Sequence, residues 1–381
     1  MRDDIDALAG HFFNQHSFHG YFVGQLVPWG LLAGEPNAGH AAVADFLLTG
    51  AAHASLTANF DTLVEQWCNR RKVAFRAALN AVDAAKYAAE AAPLLKFHGC
   101  MTLDRENTLW TQPQLNEPAV QERIASCREW MEHHLPGKDL LLVGFWTEWG
   151  YLNQVLAELL SNQHPGTVTV MDYSATAALK AKAPDLWEIL SSFPAFTHVE
   201  ASSDEALSEL RAAFAGVWVR KLMRKGAAIY EDAVADCPAG YLECPIGDVD
   251  ALYDLRRDAE GIAYTDAARE REPSDDAARV AYARMLLTDA GAEAEGAWFR
   301  LNGRSIRVVN GRGRPISKVK GTYNEPPSAG SADVVICAGG FNGGTPSNIV
   351  LGNAGSKSIT GPTSGGTAQW ITLEEAQQSL Q

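Results

Sequence analysis

The chain has 381 residues, of which 46% are hydrophobic and 20% charged, and its formal net charge is −14. That apolar fraction supplies one large or two medium cores and excludes an intrinsically disordered chain, a collagen-like fibre and a small disulfide scaffold. The acidic balance repels phosphate backbones, so nucleic acid is not an expected partner. The six cysteines, Cys68, Cys100, Cys127, Cys237, Cys244 and Cys337, form no CxxC pair, so zinc-ribbon spacing is absent and no metal is expected. Asp3, Asp4 and Asp6 stand where a secretory leader would be basic, and no apolar run reaches membrane-spanning length. The expectation is a cytoplasmic protein with reduced thiols and no membrane association.

Over residues 1–222, strand-like and helix-like segments alternate. His11, His16 and His19 fall in an aromatic-rich N-terminal helix and read as packing and surface residues. Asn37 is placed to cap a helix running to about Leu48. A short strand is expected near His53–Thr57. A helix over Asp61–Ala81 follows, with Val64, Trp67, Cys68, Phe75 and Ala78 on one stripe. Leu94–Phe97 reads as a strand and Glu117–His134 as a polar helix with His133 and His134 on a solvated face. Asp139–Phe145 is continuous, apolar and flanked by breakers, the pattern of a buried strand. Trp149–Leu160 is helical, Thr167–Met171 is another buried strand, helices cover 175–191, and Phe196–Val199 is the last strand. Ser203–Met223 closes the unit as a helix, with Ser203, Asp204 and Glu205 as its start signal. Such alternation predicts an α/β fold with a parallel sheet and helices on both faces.

Residues 223–381 differ and read as a smaller α+β accessory region. Tyr253–Leu287 is acidic and Ala-rich at helical spacing, a solvated helical pair. In Trp298–Tyr323, Asn302-Gly303 and Asn310-Gly311 split short strand-like runs, which predicts a β-meander. From Arg300 to Asn324 the chain carries seven basic residues and no acid. That stretch is either an anion- or partner-binding face or a hairpin surface paired against the acidic helices, the latter favoured. Ala338–Gly366 is Gly-rich and expected to be loop. Within it, Gly355-Ser356-Lys357-Ser358 lacks the spacing of a phosphate loop. A final helix is expected over Thr372–Leu380.

Two polar clusters stand just past the carboxyl ends of expected strands, where α/β sheets bind ligands. One is Thr57-Ala58-Asn59-Phe60-Asp61, and the other is His98-Gly99. A neutral His beside Asn and Asp suits proton acceptance and orientation of a sugar hydroxyl or water. Each cluster also has a plain reading: Asn59 or Asp61 as a helix cap, His98 as a structural hydrogen-bonder.

The string PNAGHAAVADFLLTGAAHASLTANFDTLVE, followed by LLKFHGC, resembles the sirtuin superfamily. In that family a Pro-Asn-x-x-His helix start precedes a strand ending Thr-x-Asn-x-Asp, and a later strand ends His-Gly. DLLLVGFWTEW and VTVMDYS resemble the next two strands, so the likeness runs over residues 1–222 and implies a Rossmann-like fold. It implies that NAD is the substrate, with His98 the general base on the nicotinamide ribose and Asn59 positioning ribose and water. Thr57, Asp61, Gly144, Thr147 and Asp172 would contact the dinucleotide, Asp61 at the carboxamide and Asp172 near the adenine ribose. The missing zinc ribbon, and Ala58 where deacylases have Gln, make the chain more similar to sirtuin-like domains of bacterial defence proteins. The implied activity is then NAD glycohydrolysis in antiphage defence, with a homo-oligomer or partner protein engaged through the C-terminal region. The chain begins Met1-Arg2-Asp3-Asp4, without the family's first strand and Gly-Ala-Gly-x-Ser loop. A sequence starting at an internal Met and a member lacking the loop are both open. A non-catalytic nucleotide-binding scaffold, or a deacylase or ADP-ribosyltransferase, are the competing readings.

Overall fold

The structure is a computed structural model that describes residues 4–71, 73–88, 91–144, 150–242, 249–261, 272–323, 332–341 and 368–380. The chain divides into two compact units. One comprises 1–69 and 74–210, and the other 70–73 and 211–381.

The first unit opens with α1 (Ile5–Asn14), capped by Asp4, whose Oδ1 accepts from Ala7 N at 3.0 Å. A π-helical turn over Phe18–Leu26 follows, so the single N-terminal helix expected from sequence is two segments joined at His16, which has φ +52°. In α2 (Ala38–Thr49) the Pro-Asn-x-x-His motif proves to be a capping box. Asn37 Oδ1 accepts from His40 N at 3.0 Å and His40 Nδ1 accepts from Asn37 N at 3.3 Å. Asn37 Nδ2 donates to both oxygens of Asp204. A Cβ on Gly39 would lie 2.6 Å from Asp204 Oδ1, so a larger residue there would have to displace the Asp204 carboxylate.

Strand β1 (Ser55–Thr57) pairs in parallel with β2 (Leu94–Lys96), Ser55 opposite Leu94. Between them lie α3 (Leu63–Arg70) and α4 (Ala81–Tyr87). The single helix expected over Asp61–Ala81 stops at Arg70. From Val73 the burial alternates, with Val73, Phe75 and Ala77 inside and Ala74 and Arg76 outside. That is the period of extended chain, not of a helix. Ala78 bridges Leu95 in parallel, and Asn80 restarts helix by accepting from Asp83 N at 2.8 Å.

After α5 (Pro118–His134), a three-stranded parallel sheet runs in the order β3 (Asp139–Val143), β4 (Thr167–Asp172), β5 (Phe196–Glu200). Helices α6 (Gly150–Leu160), α7 (Thr176–Lys182) and α8 (Pro184–Ser191) connect them. The apolar run in β3 is not a buried strand: Leu141 is 41% exposed while Leu142 is buried. Among the described residues β3 pairs only with β4, so it is a sheet edge with one face on the core. Leu95, Phe97, Leu142, Val168 and Val170 form that core with Leu152, Val155 and Leu159 of α6. The fold is α/β with helix-flanked parallel sheets, as expected, but the described strands pair in two groups.

Helix α9 (Ser203–Ala233) runs ten residues beyond the expected end at Met223, through a stretch of helix-forming residues. The division between the units falls within it, at Leu210 and Arg211.

In the second unit, α10 (Val249–Glu260) and α11 (Asp275–Asp289) are the expected helical pair, but they are not solvated. Arg256, Arg257, Asp258, Glu260 and Arg284 are all buried. Asp258 is clamped by Arg307 Nη2 at 2.6 Å and Arg257 Nη2 at 2.9 Å. Burial works to raise its carboxyl, but Arg307 and then Arg257 outweigh that and hold it below the usual range. Charged residues at helical spacing therefore mark an internal ion network here.

The meander is present as β6 (Glu293–Glu295), β7 (Trp298–Leu301) and β8 (Arg304–Val309), with Asn302 and Gly303 both at positive φ in the hairpin turn. The second Asn-Gly does not make a hairpin. Asn310 Nδ2 donates to Ala259 O at 2.9 Å, and the chain turns into α12 (Ile316–Tyr323). Strands β9 (Val334–Cys337) and β10 (Gln369–Thr372) then add in parallel, giving a five-stranded mixed sheet in the order β10-β9-β8-β7-β6, with α13 (Leu373–Leu380) at the end. Within the basic stretch, Arg300 pairs with Glu295 on the surface, buried Arg307 pairs with Asp258, and Arg312 and Arg314 donate to the carbonyls of Glu260 and Gly261 at the end of α10. Gly355-Ser356-Lys357-Ser358 and most of the Gly-rich stretch lie outside the described residues.

Candidate functional site

Parallel pairing of β1 and β2 puts Thr57 opposite Lys96, so the segments that follow, Ala58–Asp61 and Phe97–Gly99, leave the sheet side by side. Thr57 Oγ1 accepts from Asn59 N at 3.1 Å and bends the first segment. Asn59 is exposed, and its side chain makes no hydrogen bond among the described residues. Asp61 Oδ1 accepts from Leu63 N at 3.0 Å, so of the two cap candidates Asp61 is the one that opens α3.

His98 is 2% exposed. Its Nδ1 meets the Ala58 carbonyl at 2.8 Å, and a carbonyl only accepts, so Nδ1 carries the proton. Nε2 is then a bare acceptor, buried and without a partner among the described residues. The imidazole lies between Phe60, 4.7 Å away at an 11° interplanar angle, and Tyr151, 6.1 Å away at 18°. Phe60 stacks in turn on Trp110 at 4.6 Å, and Trp110 packs edge-on against Phe22 and Trp29 of the N-terminal segment. Burial pushes the His98 imidazolium down to about 3, with the Arg123 charge adding to it and the Ala58 hydrogen bond opposing. The ring is neutral at physiological pH.

A stability prediction follows. The folded His98 titrates near 3 and the unfolded one near 6.5, so between these values the unfolded chain binds more protons. Its contribution is therefore complete above the unfolded value and is lost as pH falls below it. From about pH 7.5 to about pH 5.5 this one group is expected to remove about 1.4 kcal/mol. Urea unfolding of the protein and of His98→Gln at the two pH values isolates the effect. An equal pH response in both contradicts it.

Three buried groups hold the two segments in place. Lys96, 1% exposed, donates to the Asp61 carbonyl and pairs with Glu65 Oε1 of α3 at 3.0 Å. Arg123 of α5 braces the His-Gly turn through Phe97 O at 2.9 Å, Asp104 Oδ2 at 2.9 Å and Asn107 O at 2.8 Å. Gly99 has φ +98°, and a Cβ there would lie 2.9 Å from Thr108 Cα. The glycine thus admits the chain's own backbone, where the sequence suggested a ligand.

The other expected residues stand at the ends of β3 and β4. Gly144, at φ +59°, donates its N–H to Met171 O at 3.1 Å. Asp172 is buried and closes a turn by accepting from Ser174 N at 2.7 Å. Thr147, Glu148 and Trp149 lie outside the described residues. Sequence reasoning missed Lys96, Glu65, Arg123, Phe60 and Tyr151. Only Lys96 left a signal, a charge inside the apolar run LLKF. Among the described residues no group of His, Cys, Asp and Glu is placed to hold a metal ion, and no helix is long and apolar enough to cross a membrane.

Residues 53–192 match the family model of the SIR2-like domain. This part of the chain is a sirtuin-like domain. The match takes in β1 to β4, Asn59, His98 and Tyr151, and leaves out α1, α2, β5 and residues 211–381 of the second unit. It points to an NAD-related function. No curated protein matches the chain.

Proposed function

We propose that the chain is an NAD glycohydrolase: NAD and water give nicotinamide, ADP-ribose and a proton. The observation that carries this reading is the fixed tautomer of His98: the Ala58 carbonyl holds Nδ1–H and leaves Nε2 a bare acceptor, on the segment that follows β2 while Asn59 stands on the segment that follows the paired β1. The nicotinamide–ribose bond breaks through an oxocarbenium-like state, which needs an oriented ring, a hydroxyl relieved of its proton's hold and one placed nucleophile. His98 Nε2 accepts from a hydroxyl of the nicotinamide ribose and draws electron density toward the cation forming at C1′. A proton acceptor in place is typically worth roughly 10²–10⁴-fold. With its imidazolium near 3, His98 polarises that hydroxyl and holds the proton only in passing. Asn59 orients the attacking water. Thr57 and Asp61 shape the segment that carries Asn59, and Gly144, Thr147 and Asp172 receive the adenosine half.

The reading extends to a cytoplasmic antiphage role by NAD depletion, with the second unit assembling copies of the chain or docking a partner protein. Incubation of the purified protein with NAD, followed by chromatography, tests the chemistry. Release of nicotinamide with equimolar ADP-ribose is expected. Binding of NAD without release would support the non-catalytic scaffold. With an acyl-lysine peptide added, loss of its acyl group to ADP-ribose alongside nicotinamide release would support the deacylase.

A further inference from the structure

Helix α9 carries an apolar stripe on its open side. Leu210 is 44%, Phe214 36% and Val217 45% exposed, and they recur at the i, i+4, i+7 spacing that sets side chains on one face of a helix. Ala213, on the same face, is exposed as well. Single exposed apolar residues are ordinary on a protein surface, but a continuous stripe marks a surface that another apolar surface covers. The charges around the stripe say what that surface is. Glu205 and Glu209 precede it and Arg220 and Arg224 follow it, all four exposed and without an ion pair among the described residues. Lys221 and Lys225, on the neighbouring flank, instead pair with Glu272 and Asp275 of their own chain. The helix dipole does not account for this order. It favours bases in the last turn, where α9 has Glu231 and Asp232, while the two arginines lie well before that turn.

We propose that this face of α9 is a dimer interface, and that its occupant is α9 of a second copy of the chain, running antiparallel. The inference rests on the assembly of copies read above and not on the NAD chemistry. Glu209 and Arg220 are eleven residues apart, about three turns, so they stand on the same flank of the stripe. They are equidistant from a point between Phe214 and Ala215, and so are Glu205 and Arg224. A two-fold axis beside that point lays stripe on stripe and turns each flank toward its own counterpart. Glu209 then meets Arg220 of the second copy and Glu205 meets its Arg224, and symmetry repeats both pairs. A parallel arrangement would set acid against acid and base against base.

Sedimentation equilibrium of the full chain is the test, and the protein is expected to dimerise. Arg220→Glu with Arg224→Glu makes the flank acidic throughout, and Glu205→Lys with Glu209→Lys makes it basic throughout. Each double variant alone is expected to dimerise at least about tenfold more weakly, because like charges then meet across the axis. An equimolar mixture of the two is expected to recover the dimer, because opposite flanks meet again. All four positions are exposed, so the fold is expected to persist, and a thermal melt of each variant checks it. Dimers in the mixture show the same thing. Double variants that dimerise like the parent, or a mixture of folded variants that stays monomeric, overturn the inference alone. A parent that is monomeric at every concentration overturns the assembly reading and the inference with it.

Discussion

Lys96→Met is expected to destabilise the protein by about 3–5 kcal/mol, because it leaves the Glu65 carboxylate enclosed without its cation. Lys96 Nζ sits 3.0 Å from Glu65 Oε1, both side chains are almost wholly buried, and Glu65 Oε2 has no hydrogen-bond partner among the described residues. Lysine is thus the only charge balance that the described contacts give Glu65. The double variant Lys96→Met, Glu65→Leu removes both ends and is expected to recover most of the loss, since a buried ion pair is often worth no more than the apolar residues that replace it. Urea unfolding of the two singles and the double closes the cycle. A single-variant cost under about 1 kcal/mol would show that water reaches the pair. The double still lacks the hydrogen bond to the Asp61 carbonyl, so it separates stability from the anchoring of the segment that carries Asn59.

His98→Gln is expected to lower the rate of NAD cleavage by roughly 10²–10⁴-fold, the range of a placed proton acceptor. Glutamine keeps a donor for the Ala58 carbonyl but offers a much weaker base where Nε2 stands. Because burial holds the imidazolium near 3, the group is already neutral at neutral pH. The acid limb of the rate profile attributable to His98 therefore lies well below pH 6.5, and a limb centred there would assign it to another group. The substitution also removes the stacking of an aromatic ring between Phe60 and Tyr151, so a thermal melt accompanies the kinetics.

What was legible in the sequence is what local chemistry dictates. The Asn37 cap, the strand ending at His98 and the Asn302-Gly303 hairpin each follow from a few neighbouring residues. The extended stretch from Val73 to Ala77 was misread as helix because its apolar residues fit both periods, and tertiary pairing at Ala78 decides between them. DLLLV was read as a buried strand because composition does not say which strand is an edge. The acidic α10 was read as solvated because only the fold brings Arg307 and Asp258 together across 49 positions. At the site, Asn59 and His98 were visible as polar residues after strands. Of the groups that set their geometry, Arg123 and Tyr151 come from other helices, and Lys96 and Phe60 are close neighbours whose partners only the fold brings together.

Asn59→Ala offers the most direct test of the central claim. Its side chain is exposed and makes no hydrogen bond among the described residues, so the thermal midpoint is expected to stay within about 2 °C of the parent. Nicotinamide release from NAD is then measured for both proteins at equal concentration. The account predicts a rate lower by at least about a hundredfold in a protein that still folds. Full release by Asn59→Ala would contradict it, and would move the chemistry away from the ends of β1 and β2.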